Sequence, residues 1–148
     1  MPAVALTLRD YRALAEFRYQ LRRFARFSDQ AARAAGLEPQ QHQLLLAVKG
    51  MPPGVLATMS ALAERLQIQH HSAVELVDRM EERGLVRRAR GTADRRQVLV
   101  TATARGQTLL ARLSAAHRAE VRSLGPPLLR ALDDLVDTVE AFHGTASA

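Results

Sequence analysis

The chain has 148 residues, enough for one domain with helical extensions and a core of its own. Lysine and arginine outnumber acids 21 to 15, a net charge of +6 that favours a polyanionic partner such as nucleic acid or an anionic surface. Cysteine is absent, which excludes disulfides, thiolate metal sites and a cysteine redox switch.

Lys49 is the only lysine, so the basic side is arginine, whose planar fork suits phosphate and guanine edges. GC-rich coding produces the same bias. No apolar run reaches the roughly 18 residues that a membrane helix needs. Arg9, Asp10 and Arg12 precede any long apolar run, unlike a secretory signal, and the expected location is the cytoplasm.

From Leu8 to about Ala35 neither glycine nor proline intervenes. Leu14, Phe17, Leu21, Phe24, Ser28, Ala31 and Ala35 alternate steps of three and four, a stripe along one long helix that Gly36 stops. Pro39 opens a second helix through Leu44, Leu45 and Val48, and Gly50 with Pro52–Pro53–Gly54 closes it. Val55–Ala57 is short enough to pair as a minor strand.

Residues 58–101 are the most informative stretch. Leu62, Ala63 and Leu66 line one short helix, and Ala73, Leu76, Val77 and Met80 line a second at i, i+3, i+4, i+7. Gln67–Ile68 makes the turn between them. Gly84 ends the second helix, Leu85–Val86 begins a strand and Val98–Val100 returns as its partner. Five arginines and one acid, Asp94, lie between Arg87 and Arg96 around a Gly91–Thr92–Ala93 tip. A helix–turn–helix followed by a basic hairpin is what a winged helix needs to hold duplex DNA.

Base edges are read by the first turns of the second helix, which makes Gln69, His70, His71, Ser72 and Glu75 the candidate readers. Arg88, Arg90, Arg95 and Arg96 are candidates for tracking phosphates or entering a minor groove. Asp94 would repel phosphate and is expected to orient a neighbouring arginine instead.

Thr103 is a good N-cap for a helix carrying Leu110, Leu113, His117, Val121 and Leu124. Gly125–Pro126–Pro127 is expected to break it. A last helix then shows Leu128, Leu132, Leu135, Val139 and Phe142, with Asp133, Asp134, Asp137 and Glu140 as its polar face. The small, polar tail after His143 is expected to fray. Striped helices at both ends of the chain point to interdigitation between two protomers, an intramolecular bundle being the alternative.

The segment LAERLQIQHHSAVELVDRMEERGLVRR, the wing ADRRQVLVT and Thr103–Gly106 together resemble the MarR family of winged-helix transcription regulators. Leu76 to Glu81, Gly84–Leu85–Val86, Asp94 with Arg96, and Thr103 with Gly106 carry the resemblance. Ala102 departs from the family's leucine, His70–His71 stands where small, proline or lysine residues are common, and Glu75 stands where a basic or hydroxyl side chain often meets DNA.

The resemblance implies a mainly α fold with a small β-hairpin wing. Residues 1–36 and 103–148 would supply dimerisation helices, and residues 37–102 a winged helix–turn–helix domain (helix–turn–helix 58–84, wing 85–101). It also implies a homodimer on a pseudo-palindromic operator of double-stranded DNA, acting as a repressor. A small aromatic or anionic effector would release it, with Phe24, Phe27, His42 and His117 as pocket residues. Plain packing of those rings is the competing explanation.

No nucleophile–base pattern or glycine-rich phosphate loop is present, so no enzyme and no cofactor are expected. Adjacent His70 and His71 point roughly 100° apart on a helix, which argues against a metal site. Two other winged-helix roles stay open: protein–protein contact, and non-specific architectural DNA binding.

Overall fold

The computed structural model describes residues 5–144, with side chains through residue 140. The element order is α1 (Leu8–Ala34), α2 (Pro39–Lys49), α3 (Met59–Leu66), α4 (His70–Glu82), β1 (Val86–Arg90), β2 (Val98–Ala102) and α5 (Ala104–Gly144). Five helices and one antiparallel hairpin among the described residues make it a mainly α winged-helix fold.

The chain divides into two compact units. One comprises Asp29–Ala115, and the other the residues up to Ser28 together with those from Ala116 on. The Asp29–Ala115 unit holds a core in which Leu37, Leu44, Leu45, Leu62, Leu76, Val77, Met80, Leu85, Val86 and Val100 are almost wholly enclosed. The stripe of α4 is buried in full, and Leu62 and Ala63 of α3 face it. Ile68 packs partly against the same core. On the hairpin, Val86 pairs with Ala102 and Arg88 with Val100. The Ala57 carbonyl accepts from Val100 N at 2.9 Å, and Thr58 forms a single bridge with Leu99. The segment before α3 therefore lends the wing one extra contact.

Four of the five helix starts have a local cap. Thr7 and Asp10 cap α1 reciprocally: the Thr7 amide donates to Asp10 Oδ2 at 2.7 Å and the Asp10 amide to Thr7 Oγ1 at 3.3 Å. These bonds hold the Asp10 carboxyl below its ordinary pKa. Glu38 and Gln41 form a second capping box at α2. Thr58 Oγ1 accepts from Ala61 N and starts α3. Thr103 starts α5: its hydroxyl accepts from Gly106 N at 3.1 Å and donates to the Gly84 carbonyl at 2.6 Å.

In the other unit, Ala13 and Gln20 on α1 are buried, as are Leu124, Ala131 and Thr138 on α5. Gln20 is satisfied by Glu16 at 2.8 Å. A cleft of about 710 Å³ is lined by Arg9, Arg12, Ala13, Glu16 and Tyr19 of α1 with Ala131, Asp134 and Thr138 of α5. Many large apolar side chains remain exposed on these helices, Leu14, Val121, Leu129, Leu132, Val136 and Val139 among them.

The expected break at Gly125–Pro126–Pro127 does not occur, and α5 runs through both prolines. Two interior prolines forfeit the bonds to the Arg122 and Ser123 carbonyls. Two features offset that loss. Gly125 has no Cβ to collide with the ring of Pro126. The buried positions Leu124, Ala131 and Thr138 recur every seven residues, so the same packed stripe continues across the prolines. The C-terminal region is thus one long helix, not two. Phe142 and the tail expected to fray lie outside the described side chains and residues respectively.

Candidate nucleic-acid interface

The site is built inside the Asp29–Ala115 unit. Gln67 turns α3 into α4 in the left-handed region (φ 53°), unusual for a residue with a side chain. Its amide group offsets the strain by donating to the Glu64 carbonyl at 2.8 Å. Below the turn, a groove of about 400 Å³ is lined by Ser60, Glu64, Gln67, Gln69 and His70.

The N-cap of α4 is Gln69, which makes no side-chain cap. Gln69, His70, His71 and Glu75 are exposed and Ser72 is half-buried. Burial of Ala73, Leu76, Val77 and Met80 fixes the opposite face inward, so these five candidate readers share the solvent side of the first two turns.

The wing arginines divide by what holds them. Asp94 anchors the tip: its Oδ1 accepts from Arg96 N at 2.9 Å and from Arg96 Nε at 3.3 Å. The Arg96 side chain is otherwise 93% exposed. Arg90 donates to the Arg95 carbonyl at 3.0 Å, which ties the end of β1 to the loop. Gly91 N donates to the Gln97 carbonyl and closes the loop. Arg87, Arg90, Arg95 and Arg96 are all exposed.

Arg88 is different. Its guanidinium reaches Asp78 and, at 3.1 Å, Glu81 Oε1, while its own amide donates to Glu81 Oε2 at 2.8 Å. Partial burial alone would lower its pKa, but the bonds and charges of Asp78 and Glu81 outweigh burial and raise it. The expectation that Arg88 tracks phosphates or enters a minor groove does not include this pairing. The signal was available: Asp78 and Glu81 are three apart on one helix face, and Arg88 shares a strand face with buried Val86.

A second missed contact is Arg83, which donates to Gln41 Oε1 and to the Gly36 carbonyl, both at 2.8 Å. It fastens the end of α4 to the α1–α2 corner.

The four ring residues associated with an effector fall in different places. Phe27 meets His117 edge-on with centroids 5.3 Å apart, and His117 Nε2 bonds Ser28 Oγ at 2.9 Å. Phe24 lies one turn before Phe27 on α1 and is half-buried. His42 is buried in α2, within the other unit.

The sequence profile of the MarR family matches residues 35–97, which span the second helix, the helix–turn–helix and most of the wing. Over those residues the module is similar to the MarR family. The MarR-family fold extends over the chain: AbsC, a MarR family transcriptional regulator from Streptomyces coelicolor, has a TM-score of 0.72 at 24% identity, over 97% of this chain and 96% of that one. CouR from Rhodococcus jostii RHA1, solved bound to p-coumaroyl-CoA, is 27% identical over 78% of this chain and 80% of its own, with a TM-score of 0.60. A mutant MarR from E. coli, complexed with operator DNA, is 20% identical over 88% of this chain and 90% of its own, also at 0.60. No curated protein matches. Among the described residues no helix is long and apolar enough to cross a membrane, and no group of three or more His, Asp or Glu is placed to hold a metal ion.

Proposed function

We propose that the chain is a DNA-binding transcription regulator, a homodimeric repressor that a small effector releases from a pseudo-palindromic operator. One observation carries the reading: a solvent-facing first turn of α4 and an arginine-rich hairpin belong to the same compact unit, the two parts a winged helix presents to a duplex. The wing supplies affinity through phosphates or a minor groove. Gln69, His70, His71, Ser72 and Glu75 supply choice of bases, with glutamine suited to adenine and glutamate to the cytosine amine. No lysine or arginine lies among those readers, so most of the electrostatic attraction rests on the wing. The operator complex of the E. coli relative supports this assignment.

Dimerisation is assigned to α1 and α5. Leu14, Leu132, Val136 and Val139 are two-fifths or more exposed in the single chain, more apolar surface than a lone helix pair leaves to water without reason. In this reading residues 1–36 and 103–148 hold two copies together, and residues 37–102 read DNA. The Phe27–His117 ring contact is a place to receive an aromatic effector, in keeping with the acyl-CoA complex of CouR. The protein acts by binding in the cytoplasm and catalyses nothing.

Selection of bound duplexes from a random pool tests the function. An inverted repeat with half-sites about one helical turn apart is the expected product. Enrichment of no sequence, with unrelated duplex competing equally, would replace operator recognition with architectural binding.

A further inference from the structure

Among the described residues, Arg88 is the wing arginine bound by carboxylates of α4. The strand explains why. Val86, Arg88 and Arg90 lie on one face of β1, and Arg88 sits opposite Val100, which is buried. Its aliphatic stem therefore covers the core and its head emerges beside α4 instead of at the tip. There Asp78 and Glu81 take both sides of the fork, and Glu81 also takes the Arg88 amide, so backbone and side chain are fixed together. Only 26% of the Arg88 side chain is exposed. A guanidinium so engaged has little left to offer a phosphate.

We propose that Arg88 is a positioning residue. Its clamp on Asp78 and Glu81 holds the hairpin at a set angle to α4, so that wing and recognition helix engage one duplex in register. Arg88 thereby governs preference between sequences, whereas the exposed arginines at the tip govern overall attraction. This role rests on the reading of the module as a DNA reader.

The test compares the full-length parent with Arg88→Gln, with Asp78→Asn/Glu81→Gln, and with all three changes combined. Each is titrated with the duplex enriched from the random pool and with an unrelated duplex of equal length, across a range of salt. The clamp predicts that Arg88→Gln and the acid pair each cut the preference ratio by about tenfold, and that the combination cuts it no further. The dependence of log affinity on log salt should stay within the parent's value. Arg88→Lys keeps charge and stem but loses the fork, and should show the same loss of preference if Arg88→Gln proves too unstable to assay.

The proposal is overturned if Arg88→Gln flattens the salt slope by about one while the ratio holds, the behaviour of a phosphate contact. It is equally overturned if neutralising Asp78 and Glu81 leaves the ratio unchanged. A parent chain that binds neither duplex overturns the DNA reading and the clamp's role with it, whereas the variants overturn the clamp alone.

Discussion

Gly106→Ala should destabilise this protein, although Gly→Ala inside a helix ordinarily adds about 1 kcal/mol of stability. Gly106 sits in the first turn of α5, where a Cβ would lie 2.1 Å from the Leu85 carbonyl oxygen and 3.2 Å from Leu45 Cδ2. No rotamer relieves that contact, because the obstacle is backbone. Relief requires α5 to lift from the Leu85 peptide by more than 1 Å. That peptide accepts from Thr103 N at 3.0 Å, and Thr103 in turn donates to Gly84 and caps α5. Separation stretches both bonds, each contributing about 1 kcal/mol, and adds an overpacking cost of about 1–3 kcal/mol. After the propensity gain is subtracted, the net loss is about 2–4 kcal/mol, from the same sources. Urea denaturation followed by circular dichroism measures it as a lower midpoint at unchanged slope. A midpoint equal to or above the parent's would refute the reasoning, since it would mean that α5 does not press on the Leu85 turn.

Arg95→Ala and Arg96→Ala should weaken binding to every duplex and lower the salt slope by about one each, while changes at His70, His71 or Ser72 should alter which sequence is preferred. Electrophoretic titration at several salt concentrations separates the two classes, and a slope unmoved by either arginine change would remove the wing from the interface. Leu132→Glu with Val139→Glu places two charges on exposed sites of α5, so the monomer should fold normally while its self-association weakens at least about tenfold; sedimentation velocity reads the outcome. The Asp10 cap gives a pH signature. Because its folded pKa is depressed below the ordinary 3.8, the cap is intact above that value and is lost as pH falls through the lower folded pKa. Backbone NMR shifts of residues 7–11 should titrate with a midpoint below 3.8, and a midpoint at or above it would contradict the Thr7–Asp10 geometry.

The helix–turn–helix was legible because its signals reinforce one another. Ala73, Leu76, Val77 and Met80 have helical spacing, Gly84 has a turn to close, and the strands alternate around buried Val86 and Val100. Each is a local pattern whose meaning depends little on the rest of the fold. The path of α5 was not legible for the converse reason. Pro126 and Pro127 are the strongest local stop signals in the chain, and what overrides them is packing of Leu124, Ala131 and Thr138 against partners that no local window contains.

The same distinction separates the readers from the wing. The solvent side of positions 69–75 could be read from the face left over once the α4 stripe is buried, a consequence of periodicity alone. The arginines could not be ranked that way, because composition gives Arg87, Arg88, Arg90, Arg95 and Arg96 equal standing. What ranks them is strand register: placing Arg88 opposite Val100 turns it toward Asp78 and Glu81, while Arg95 and Arg96 fall in the loop beyond the paired strands. Charge sets the attraction of such a hairpin for a polyanion, but register decides which charges remain free to express it. With Arg88 committed, at most four wing arginines per chain can neutralise phosphates, so the wing's share of the salt slope is bounded near 3.6 per chain, about 0.9 for each contact.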